Sequence, residues 1–74
     1  MDRKDSDMAL FVAFCIEEYG ATKGMTGEQV VDLFDFYGVT DYLCSCYEPL
    51  HTQGSQWLIA EIDEFIGIQK TKES

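Results

Sequence analysis

The chain has 74 residues, enough for one domain, and carries 14 Asp and Glu against 5 Lys and Arg, for a net charge of −9 and a pI near 4.1. That balance argues against nucleic acid, where affinity comes from neutralising phosphates with cations. A hydrophobic content of 46% and ten aromatic residues argue equally against a disordered acidic tail.

Twelve of the acidic residues and one cation, Lys23, fall between residues 5 and 69, leaving that body at −11. Such a surface favours a basic partner or simple solubility. A domain this short buries only about 60% of its unfolded surface, so its core must be dense or shared; homodimerisation is compatible with that. The longest apolar run, Met8 to Ile16, has nine residues, whereas a bilayer crossing takes about twenty, so no membrane association is expected. Cys15, Cys44 and Cys46 are an odd number in a chain without a signal-peptide pattern, which points to reduced thiols in a cytoplasmic protein.

The first helix is expected to start at Asp5-Ser6-Asp7, whose oxygens suit an N-cap and whose charge suits the positive end of the dipole. Met8, Phe11, Val12, Cys15 and Tyr19 form one stripe, which Leu10 and Phe14 widen. A helix apolar around most of its circumference is expected at the centre of the fold, closed by Gly20 and Gly24. The second helix starts at Thr26-Gly27-Glu28-Gln29, a capping-box pattern. Val30, Leu33, Phe34 and Tyr37 then repeat at the spacing of one buried face, with Glu28, Asp32 and Asp35 opposite. Gly38 suits a left-handed C′ position.

A short third helix follows with Thr40 as its expected N-cap and Tyr42, Leu43, Cys46 and Tyr47 inward; Pro49, lacking an N–H, is expected to end it. Leu50 to Gly54 reads as a loop. Ser55 can cap a last helix whose stripe is Leu58, Ile59, Ile62, Phe65 and Ile66, with a strand at Trp57 to Ile59 as the alternative. The tail from Lys70 to Ser74 is polar and expected to fray. The expected architecture is all-α: a single domain over 1–74, with an ordered body of about 6–69, built as a four-helix bundle with helix one central and helix three short.

The runs T-G-E-Q-V-V-D-L-F, Y-G-V-T-D-Y-L, L-H-T-Q-G and I-A-E-I-D-E-F-I together resemble a family of small bacterial proteins catalogued only as a domain of unknown function. The resemblance covers roughly residues 10 to 67. Its most specific pieces are the Leu50-His51-Thr52 step and the Ile62-Asp63-Glu64-Phe65-Ile66 ending. It implies no established activity. It does imply a gene neighbourhood shared with proteins of ADP-ribosyltransferase-like fold, and so an antitoxin-like or accessory role.

Several constellations invite chemistry. Helix two, the Gly38-Val39-Thr40 turn and helix three have a helix-turn-helix outline, and a DNA-binding regulator is one alternative. The outward residues of helix three, Asp41, Ser45 and Glu48, include no cation, however, and two of them repel phosphate. Cys44-x-Cys46 with His51 and Cys15 suggests zinc, but helical residues two apart point about 200° from each other, so buried thiols and no metal are expected. The same geometry disfavours a redox pair. His51, the only histidine, would anchor any catalytic reading, such as a Cys–His pair with Cys46 or Cys15. A small enzyme using His51 is thus the second alternative, against a loop formed by Leu50, His51, Thr52 and Gly54 in which the imidazole simply holds backbone. The carboxylates Glu17-Glu18, Asp32 with Asp35, and Glu61 with Glu64 read as solvated helix faces. No catalytic residue and no cofactor is expected.

Trp57, Glu61, Glu64 and Ile68 fall opposite the core stripe of the last helix, and Phe36 lies about 120° from the centre of its own. Exposed aromatic and aliphatic anchors among carboxylates resemble an interface. These five residues are the candidate contacts for a protein partner with a basic surface.

Overall fold

The structure, a computed structural model, describes residues 3–73. Among the described residues five helices follow one another: α1 (Arg3–Lys23), α2 (Gly27–Tyr37), α3 (Val39–Ser45), α4 (Tyr47–Leu50) and α5 (Ser55–Glu73). No strand occurs among the described residues, and residues 57–59 are helical. The all-α expectation holds, while the count of helices is five rather than four.

The extra helix comes from Pro49. The chain breaks at Cys46 (φ −110°, ψ 27°) and restarts as α4, with Pro49 in its first turn. A proline there forfeits nothing, because the first N–H groups of a helix have no intrahelical acceptor. Leu50 and His51 then donate to the carbonyls of Cys46 and Tyr47 at 3.1 and 2.9 Å. Pro49 therefore sits within the first turn of a new helix instead of ending the old one.

The α2 segment forms as its sequence dictates. The Thr26 side chain accepts from the Gln29 N–H at 3.1 Å, and the Gln29 side chain accepts from the Thr26 N–H at 2.9 Å. Gly38 adopts φ 72°, and its N–H returns to the Phe34 carbonyl. The next helix starts at once, at Val39, so Thr40 is not its cap. In α5 the first helical residue is Ser55, and the Gly54 carbonyl accepts from the Leu58 N–H. That helix runs through Lys70 and Lys72 to Glu73; Ser74 lies outside the described residues.

Two expectations about α1 are corrected. Among the described residues it is already helical at Arg3, which puts Asp5-Ser6-Asp7 inside the helix, and it runs through Gly20 to Lys23, with Gly24 at φ 69° following. Gly20 serves a different purpose: it lets the Met25 backbone approach, and the Met25 N–H reaches the Gly20 carbonyl at 2.9 Å. The second correction concerns burial. Phe11, Cys15 and Tyr19 enter the core, and α1 packs against α2, α3 and α5. Leu10 is 70% exposed and Phe14 44% exposed, so α1 is not enclosed. At about 100° per residue these two point away from the Phe11–Cys15–Tyr19 line rather than widening it.

The remaining core is Val30 and Phe34 of α2, Val39 and Leu43 of α3, Leu50 of α4, and Leu58, Ile62 and Ile66 of α5. Edge-to-face rings join Tyr19 to Phe34 and Phe11 to Tyr47, each with centroids 5.5 Å apart. No helix among the described residues is long and apolar enough to cross a membrane.

Candidate functional site

The core stripe of α5 fixes its opposite face. With Leu58, Ile62 and Ile66 buried, Trp57 and Ile68 must face outward, and they are 46% and 49% exposed. Glu64, between them along the helix, is exposed as well.

Glu61, expected on the same face, is drawn aside. Its Oε1 accepts from the Tyr42 hydroxyl at 2.9 Å, and the Tyr42 ring stacks on Phe65 with centroids 4.4 Å apart. Desolvation, then the hydrogen bond to Glu61, pushes the Tyr42 hydroxyl up to about 12. Tyr42 accordingly stays a neutral donor at neutral pH, and Glu61 belongs to the contact between α3 and α5 more than to the outward face.

Phe36 is 66% exposed but stands elsewhere. It borders a shallow groove with Gly24, Met25, Gln29, Asp32, Leu33 and Tyr37. Its ring meets Tyr37 edge-on at 4.8 Å, and the Lys70 ammonium lies 5.9 Å from the Tyr37 ring centre. Lys70 points about 200° away from Ile68 around α5. The structure therefore puts Phe36 on a surface separate from Trp57 and Ile68.

The family-like loop divides into core and surface. Leu50 is buried, whereas His51, Thr52 and Gly54 are exposed. The His51 Nδ1 lies 2.8 Å from the Tyr47 carbonyl, which as an acceptor requires the proton on that nitrogen. The imidazole also stacks on the Tyr47 ring at 4.4 Å. The Thr52 hydroxyl donates to the Pro49 carbonyl at 3.1 Å. Cys15 is buried, and desolvation pushes its thiol up to about 11, which keeps it protonated and a poor nucleophile. Cys44 and Cys46 are free and half-buried. Among the described residues no three His, Cys, Asp or Glu side chains gather into a group that could hold a metal.

One cluster was missed in sequence. Asp63 accepts from the Tyr19 hydroxyl on one oxygen and from the Lys23 ammonium on the other, both at 2.7 Å. Lys23 also lies 5.6 Å from the centre of the Tyr19 ring. Partial burial alone would raise the Asp63 carboxyl, but the hydrogen bonds from Lys23 and Tyr19 and the Lys23 charge outweigh it and hold the carboxyl below its ordinary value. The Tyr19 hydroxyl is pushed well above its usual range, first by burial and then by Asp63. The group ties the C-terminal end of α1 to α5. Its available signal was Lys23 itself, the lone cation of an acidic body.

A family described as a protein of unknown function (DUF3791) matches residues 10–67, well over half of the chain, and the chain belongs to that family. No curated protein and no solved structure matches it.

Proposed function

We propose, with membership in this family as the premise, that the protein is a non-catalytic interaction module whose outward α5 face engages a basic protein partner. The observation that carries this is the simultaneous exposure of Trp57 and Ile68 on one face of α5, about 16 Å apart along the helix, with Glu64 between them. Large apolar side chains of this kind anchor interfaces, while flanking carboxylates set the sign of the partner. The net charge of −9 extends that preference to the whole molecule. The state of Cys15 and the engagement of His51 with the Tyr47 carbonyl favour binding over nucleophilic chemistry. In its most specific form, which the family resemblance implies, the module is an antitoxin-like or accessory partner of an enzyme.

The test starts from the protein that co-purifies with the tagged chain from its own host, purified and titrated against variants. Trp57→Ala should weaken affinity by about thirtyfold, chiefly through faster dissociation, as expected for an anchor worth about 2 kcal/mol. Glu64→Lys should slow association and flatten its salt dependence. Glu61 is unsuitable for this reversal because Tyr42 depends on it. Full affinity in a folded Trp57→Ala variant would make this face ordinary surface.

A further inference from the structure

A second outward face lies on α1. Asp7, Leu10, Phe14 and Glu17 are all exposed, and their separations of three, four and three residues put them on one narrow seam. The seam faces away from Phe11, Cys15 and Tyr19, which carry α1 into the core. Along it an apolar pair sits between two carboxylates, with Asp7 and Glu17 about 15 Å apart. Such a seam is the spacing by which one helix receives another.

The charges decide what can lie there. If a second copy packed antiparallel about the midpoint of Leu10 and Phe14, each Leu10 would meet a Phe14, but each Asp7 would meet a Glu17. A parallel copy would set Asp7 on Asp7 and Glu17 on Glu17. Both arrangements set these four carboxylates in like-charged pairs, with Arg3, four residues before Asp7, as the nearest cation in register, between molecules that already carry −9 apiece. A cationic helix meets neither penalty.

We infer that the outward face of α1 is a docking site for a cationic amphipathic helix of a protein partner, its apolar pair on Leu10 and Phe14 and its basic residues against Asp7 and Glu17. The complementary pattern is a Lys or Arg, an apolar residue three positions on, another four further, and a second cation three beyond that. This surface is distinct from the α5 face and stands whether or not Trp57 is an anchor.

The test uses the full isotopically labelled chain and a synthetic helical peptide of about fifteen residues with Lys and Leu in that pattern, followed by amide chemical shifts. Saturating shifts should centre on residues 7–17 and weaken as salt rises from about 50 to about 300 mM. Leu10→Ser with Phe14→Ser should weaken binding by about tenfold or more. Trp57→Ala should leave it within about twofold, which separates this site from the α5 reading. Asp7→Lys with Glu17→Lys should lose the Lys peptide and gain a peptide with Glu in place of those Lys, a swap that a loss of folding could not produce. Absence of saturating shifts, shifts centred elsewhere, or failure of the charge swap would overturn the assignment. So would concentration-dependent dimerisation abolished by the Leu10 and Phe14 changes, since the occupant would then be a second copy.

Discussion

Two glycines in long helices should respond in opposite directions to the same substitution. Replacing an interior helical glycine by alanine gains about 1 kcal/mol of helix propensity. Gly67 realises that gain, because a Cβ there would meet nothing within 4 Å. At Gly20 the Cβ would stand 2.8 Å from the Met25 carbonyl oxygen and 3.3 Å from Val30 Cγ2. Neither neighbour gives way easily: the Met25 peptide is tied to the Gly20 carbonyl by its own N–H, and Val30 is fully buried. Overpacking of this kind costs about 1–3 kcal/mol, and straining the Met25 hydrogen bond adds a share of its net worth of about 1. Gly20→Ala should therefore be net destabilising by about 1–2 kcal/mol. In a domain of this size that lowers the Tm by about 4–15 °C, while Gly67→Ala should raise it by a few degrees. Thermal unfolding followed by circular dichroism at 222 nm reads both variants side by side. A Gly20→Ala protein as stable as wild type, or more so, would refute the close approach of the Met25 loop to α1.

The revised burial of α1 reverses the sensitivity that an enclosed helix would give. Phe34→Ala, at a fully buried position against Tyr19, should cost about 3–5 kcal/mol and leave little of the domain folded, whereas Phe14→Ala should stay within about 0.5 kcal/mol of wild type in urea titrations. Asp63 supplies the pH dependence: its folded-state value is depressed, so its stabilisation is present above the unfolded value near 4 and is lost as pH falls through the lower folded value. Asp63→Asn should consequently flatten part of the acid limb of a Tm–pH profile below about pH 4, and an unchanged limb would count against the cluster. On the alkaline side the sign is the opposite. The raised thiol of Cys15 contributes fully below its ordinary 9.0 and is lost between there and about 11, so Cys15→Ala should flatten the decline in Tm over that interval.

Most of α2 and α5 was legible because contrast was present. Thr26 and Gln29 mark a start, Gly38 marks an end, and polar residues separate the apolar ones at the helical period. The sequence of α1 lacks that contrast. With Ala, Leu, Phe, Val and Cys in succession, periodicity offers several apolar faces, and only packing against α2, α3 and α5 selects the Phe11–Cys15–Tyr19 face. Pro49 misled because a proline's effect depends on its position within a turn. The outward face of α5 was placed correctly for Trp57, Glu64 and Ile68. Glu61 was not legible as a partner of Tyr42, nor Asp63 as the hub for Tyr19 and Lys23, because these bonds span 19, 44 and 40 residues. Local spacing carries no information about such pairs.

The proposed role is tested most directly by Trp57 itself, the single tryptophan and hence the sole indole reporter in the chain. The measurement is acrylamide quenching of its fluorescence, free and saturated with a purified partner that lacks tryptophan or has had its own replaced by phenylalanine. The free protein should show a red-shifted, readily quenched indole, and the complex a blue-shifted emission with quenching reduced several-fold. A saturated complex in which Trp57 keeps its free-state emission and quenching would contradict the proposed role.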